Sequence, residues 1–234
     1  MNLKTALSSY RATVALIAVN FVIFIAIVCG ADSNWLALSG DIATVIVQPW
    51  TMFSYMFTQI HIGHLLANLV LLALAGYYYE KKTSSLRLLA VYFVGGVVGA
   101  LMFLLICFAT GSESATLIGS SASALAIWSA IVFDRLNPMP VMILYPFGRV
   151  KFVWILAIYI GVCVAGLFGS NPGGNMAHIG GVIAGLLAGR LRCCAAAEYK
   201  AKDRLVEKVE QSGFSSLSDE ERRILFEKYR KSGK

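Results

Sequence analysis

This sequence has little charge, and charge is missing altogether from particular places. Asp, Glu, Lys and Arg make up 14% of the 234 residues, and the mean hydropathy is +0.70. Such a composition excludes an ordinary soluble globular domain. Lys and Arg are absent from residues 31–61, 111–118 and 169–175, and the only acids in those stretches are Asp32, Asp41 and Glu113. Cysteine is sparse too. Cys29, Cys107 and Cys163 lie inside apolar runs and Cys193–Cys194 just beyond the last, which gives no disulfide framework and suits small apolar fillers. The histidines are His61, His64 and His178, and no carboxylate or thiolate accompanies them at one depth, which disfavours metal chemistry.

What is present is a series of six apolar segments, approximately 12–30, 62–79, 88–110, 119–133, 152–168 and 176–189. The first is longer than the apolar core of a cleaved signal peptide, ~7–15 residues, and reads as a retained span. In a six-span arrangement all 20 basic residues fall on one side. The positive-inside rule then places both termini in the cytoplasm. The net charge of +7 follows from that topology and from contact with anionic lipid, and gives no argument for nucleic acid. The expected fold class is an all-α membrane protein, with a membrane domain over residues 1–194. Residues 195–234 form a short charged tail of two helices separated by Gly213, the second opened by a capping box at Ser218–Glu221. The 31–61 connection, with Trp35, Trp50, Phe53, Tyr55 and Phe57, reads as a loop in the outer interface.

Polar residues interrupt spans two, four and six. Asn68, Ser121 and His178 each stand 12 or 13 residues before the charged inner boundary marked by Glu80, Asp134 and Arg190. At 1.5 Å per residue they share one layer, roughly 20 Å above that boundary and on the order of 10 Å below the outer surface of a ~30 Å core. His64 lies one helical turn from Asn68 on the same face. Taken singly, each has a bland reading. A Gly-x-Ser such as Gly119–Ser121 is usually a helix start, and His64 with Asn68 would serve as an interhelical clamp. Four polar groups at one depth in a membrane instead favour a site, because such groups are costly and face a cavity or one another.

The residue types set the chemistry. A serine hydroxyl needs a base to become a nucleophile, and His178 is that base, with an unperturbed pKa of ~6.5. Ala122, Ala126 and Ala130 on span four, facing Gly181, Gly185 and Gly189 on span six, permit the close approach that a Ser–His hydrogen bond demands. No acid lies within a span, so the reading is a dyad without a buried carboxylate. The backbone N–H of Ser121, His64 and the Asn68 amide are the donors available to a developing oxyanion.

PWTMFSYMF, HLLANLVLL with His64 and Asn68, IGSSASALA with Ser121, and AHIGGVIAG with His178 resemble the bacterial-type rhomboid intramembrane serine proteases across essentially all six spans. That resemblance implies a six-helix bundle in which Ser121 is the nucleophile and His178 the base. It also implies that His64 and Asn68 help to bind the oxyanion, with Gly119 and Ala122 in support, and that no cofactor is needed. The implied substrates are single-span membrane proteins cut near the outer face, and the implied location is a bacterial inner membrane. Three positions depart from the pattern: Ala122 stands where many relatives have glycine, Gln59 where several have histidine, and Leu125 where some place an aromatic against the catalytic histidine. A catalytically silent rhomboid-like binding protein would lack Ser121 or His178, and a transporter would show inverted repeats and embedded charge; the sequence has neither feature.

Overall fold

The computed structural model describes residues 10–134, 136–137, 140–144 and 148–223, the side chains of residues 143–144 and 197–203 excepted. Among the described residues four helices are long and apolar enough to cross a membrane: α1 (Arg11–Val28), α4 (Ile62–Lys82), α5 (Ser85–Thr110) and the Pro172–Ala196 part of α8 (Pro172–Ser212). Two shorter apolar helices, α6 (Ser121–Phe133) and α7 (Phe152–Gly166), complete the bundle. Thr13 and Asn20 of α1 are buried while Phe21, Val22 and Ile25 are exposed. Leu16 and Phe24 are buried with Thr13 and Asn20, so α1 packs a mixed face inward while it leaves large apolar side chains outside, which suits a lipid surround.

The connection from α1 to α4 is more ordered than its aromatic content suggests. It holds a strand β1 (Leu38–Ser39) and two short helices, α2 (Ile42–Val47) and α3 (Thr51–Ser54). Asp41 caps α2 through the N–H groups of Ala43 and Thr44, and bonds to the Thr44 hydroxyl and then to these N–H groups hold its carboxyl below the usual range. Trp50 donates its indole N–H to the Trp35 carbonyl at 2.9 Å and packs against that ring. β1 pairs antiparallel with β2 (Thr116–Leu117), Leu38 opposite Leu117. That pairing ties the long connection to the chain just before Ser121. A second antiparallel pair, β3 (Val141–Leu144) with β4 (Gly148–Lys151), joins α6 to α7. These two small sheets leave the fold mostly helical, as expected from the sequence, and Leu38 and Leu117 of the first are buried in the main core.

α6 is the axis of the packing. Every residue from Ser121 to Val132 is buried. It is gripped on both sides by glycines: a Cβ on Gly95 or Gly99 of α5 would meet the Ala126 or Ala122 methyl. On the other side a Cβ on Gly181, Gly185 or Gly189 of α8 would meet the carbonyl oxygen of Ala122, Ala126 or Ala130. The four-residue spacing keeps these contacts in register along both helices. Ser129 donates to the Val182 carbonyl at 2.8 Å, adding a polar bond to the seam.

Another buried polar node fastens the opposite end. Glu80 of α4 accepts from the N–H groups of Ala12 and Thr13 at 2.8 and 2.9 Å, and from the hydroxyls of Thr13 and Ser85 at 2.6 Å. It is the N-terminal cap that α1 lacks in its own sequence, since Tyr10 supplies none.

The chain divides into two compact units, Met1–Arg190 and Leu191–Lys234. In the second, residues 191–212 are helical, where the first of the two tail helices is expected from the sequence. Residues 191–212 contain no Gly or Pro and are rich in strong helix formers, so nothing interrupts it. Gly213, with φ +75°, makes the turn. Ser218 and Glu221 form the reciprocal capping box, and Lys208 bridges Glu221 at 2.9 Å. The Lys208 ammonium, followed by the Ser218 N–H, holds the Glu221 carboxyl below the usual range.

Candidate active site

Gly119 has φ +107°, a backbone conformation that only glycine adopts without strain. The turn it makes lets α6 start at Ser121, and the N-cap, Ser120, provides no side-chain bond to the helix start. The first N–H groups of α6 therefore remain available, at the positive end of the helix dipole. Two bonds fix the turn: the Gly119 N–H donates to the Tyr55 carbonyl at 2.9 Å, and the Tyr55 hydroxyl donates to the Gly96 carbonyl at 2.6 Å. Burial, with the neighbouring Tyr92, pushes the Tyr55 hydroxyl above its ordinary range and keeps it a donor.

Ser121 Oγ lies 2.7 Å from His178 Nε2. The hydroxyl is largely buried, and the histidine half-buried. The glycine seam between α6 and α8 is what makes that distance attainable, because Gly181 follows His178 by three residues and sits on the Ala122 carbonyl. Ala122 thus contributes close backbone contact together with its N–H.

His64 and Asn68 come to the same place from α4. A Cβ on Gly119 would stand 2.7 Å from His64 Cε1, 2.8 Å from its Nε2 and 3.0 Å from Asn68 Nδ2, so the bare face of Gly119 lies against both side chains. Asn68 is 3% exposed, and its Nδ2 makes no hydrogen bond within the described residues. A buried amide donor left open beside a histidine-bonded serine hydroxyl can meet an oxygen that gains negative charge. All six residues singled out in the sequence, Ser121, His178, His64, Asn68, Gly119 and Ala122, are thus gathered at one end of the bundle.

Several contributors escape sequence reasoning. Leu125 is buried and cannot supply an aromatic to His178. Tyr159 of α7 supplies one instead, its ring edge-on to the imidazole with centroids 5.5 Å apart. Cys163, one helical turn further on, places Sγ 3.5 Å from His178 Nδ1. A tyrosine and a cysteine four residues apart in an otherwise apolar span are the available signal. Gln59 is fully buried and donates to Asn20 of α1 at 2.8 Å, and Asn20 in turn donates to the Leu16 carbonyl. In this chain that position therefore braces α1 against the long connection.

A Rhomboid domain family model matches residues 47–194. RHOMBOID-like protein 7 of Arabidopsis thaliana is 30% identical over 144 residues, which are 62% of this chain and 43% of that protein. The chain thus spans less than half the length of that relative.

Proposed function

This chain belongs to the rhomboid family, and we propose that it is an intramembrane serine endopeptidase working through a Ser121–His178 dyad. The observation that carries the reading is the 2.7 Å contact between Ser121 Oγ and His178 Nε2, beside the uncommitted Asn68 amide. As Ser121 Oγ attacks the scissile carbonyl carbon, its proton passes to His178 Nε2 and the carbonyl oxygen takes the negative charge. That oxygen is met by the Asn68 amide, His64 and the free N–H groups at the start of α6. Collapse of the adduct breaks the C–N bond, and His178 returns its proton to the leaving amine. A water, deprotonated by the same imidazole, then attacks the acyl carbon; the C–O bond to Ser121 breaks and the imidazolium returns its proton to Ser121 Oγ. No step requires a cofactor.

The shortness of α6 supports a site below the membrane surface. Thirteen residues extend roughly 20 Å, against a hydrocarbon core of ~30 Å. In this reading α6 and α7 are short spans and the chain crosses six times, with both termini in the cytoplasm; the one-sided Lys and Arg distribution supports it. The proposed substrates are single-span membrane proteins. An intact transmembrane helix hides its backbone in internal hydrogen bonds that hydrocarbon cannot replace, so good substrates carry Gly or Pro near the outer end of their span. Those residues weaken a helix by about 1 and 3 kcal/mol relative to Ala.

The test is cleavage of reconstituted single-span substrates, each with and without those helix-weakening residues. Cleavage by the wild type, lost in Ser121→Ala and reduced when the substrate's Gly or Pro becomes Leu, is expected. Equal cleavage by Ser121→Ala refutes the dyad. A wild type that binds these substrates without cutting them marks a silent rhomboid-like binding protein.

A further inference from the structure

His178 has two ring nitrogens, and the proposed reaction uses only Nε2. To accept the Ser121 proton, Nε2 must offer a lone pair, so the neutral ring carries its hydrogen on Nδ1. In a serine–histidine–carboxylate arrangement an acid receives that hydrogen and holds the ring in the correct tautomer. Among the described residues the group hydrogen-bonded to Nδ1 is Cys163 Sγ, at 3.5 Å. That is an ordinary distance for an N–H donating to sulfur, whose radius exceeds that of oxygen. Cys163 is buried, and it is fixed on α7 one turn from Tyr159, which already abuts the ring. The two side chains therefore approach the imidazole from the same helix, Tyr159 through its ring and Cys163 at the nitrogen distal to Ser121.

We infer that Cys163 is a positioning residue of the dyad, the acceptor for His178 Nδ1–H that fixes the base's tautomer and steadies the imidazolium formed during attack. This rests on the protease reading above. The sulfur is a weak, polarisable acceptor, so its effect is smaller than a carboxylate's. It also avoids placing an unpaired charge in the membrane. The cysteine remains a thiol throughout, and no covalent or redox step is assigned to it.

The experiment measures the rate at which a fluorophosphonate probe reacts with Ser121, as a function of pH, in the purified full-length protein. Cys163→Ala removes the acceptor. Cys163→Asn restores one, because its carbonyl oxygen stands one bond further out than the sulfur and so suits the shorter N–H···O distance. Without the acceptor the imidazolium loses more than the neutral ring, so the base's pKa falls. The acidic limb of the Cys163→Ala profile should move to lower pH by roughly half a unit to one unit, with the plateau roughly threefold to tenfold lower. Cys163→Asn should bring the limb back toward wild type or above it. Partial unfolding scales the amount of reactive protein and leaves the limb in place, so a packing role alone cannot imitate the shift. A Cys163→Ala limb that coincides with wild type, or a Cys163→Asn limb that coincides with Cys163→Ala, overturns the assignment while the dyad stands. A wild-type Ser121 that does not react at all overturns the protease reading and this assignment with it.

Discussion

Gly181 is the position where packing and chemistry meet most closely. It faces α6 at the first step of the seam, three residues from His178. A Cβ there would overlap the Ala122 carbonyl oxygen and stand 3.1 Å from the Ala122 Cα. These are main-chain atoms of a buried helix, so no flexible side chain can give way, and relief requires α6 and α8 to separate by on the order of 1 Å. The Ser121–His178 hydrogen bond, 2.7 Å long, spans that gap and would be stretched out of bonding range. Misplacement of this size lowers reaction rates by about 10²-fold, and overpacking a close seam destabilises by about 1–3 kcal/mol. Gly161 of α7 provides the control. A Cβ there meets nothing within 4 Å, so Gly161→Ala should be neutral or stabilising by about 0.5–1 kcal/mol. The assay is the rate of fluorophosphonate labelling of Ser121 together with thermal unfolding in detergent. Gly181→Ala labelling at the wild-type rate, or Gly161→Ala falling as far as Gly181→Ala, would refute the argument that the glycine seam sets the dyad distance.

Other consequences are independent of that seam. Asn68→Ala should lower kcat by about 10²–10³ with little change in KM, because its amide is engaged only as charge develops; an unchanged kcat with a raised KM would make Asn68 a substrate-binding residue. Glu80→Ala strips the cap from α1 and leaves the buried hydroxyl of Thr13 and the half-buried hydroxyl of Ser85 without their acceptor. It should destabilise by about 1–3 kcal/mol, seen as a lower unfolding temperature, while Ser121 labelling below that temperature stays close to wild type. A reporter fused after Lys234 should be cytoplasmic and a tag between Asp32 and Asp41 external; finding both on one face would overturn the six-span topology.

The sequence carries much of this arrangement because a membrane makes polarity conspicuous. Ser121, His178, Asn68 and His64 stand out against apolar spans, and the matched Ala and Gly spacings of α6 and α8 point to a close seam. The second seam, from Gly95 and Gly99, is hidden in the long apolar run of α5, where glycine is common and no polar residue marks the face. Glu80 reads as a boundary charge; that it caps a helix 67 and 68 residues away depends on tertiary placement. β1 and β2 contribute two residues each and pair across 77 to 79 positions of chain, too short and too distant for any periodicity to register. Tyr159 and Cys163 belong to a span whose other residues suit lipid, so their common face becomes meaningful only once α7 is seen beside His178.

The central claim is that Ser121 is a nucleophile activated by His178. It is tested most directly by treating the purified protein with a fluorophosphonate and locating the adduct by mass spectrometry. A single adduct on Ser121 is expected, absent in Ser121→Ala and lost or slowed by orders of magnitude in His178→Ala. An adduct elsewhere in the chain, or undiminished labelling of Ser121 in the His178→Ala protein, would contradict it.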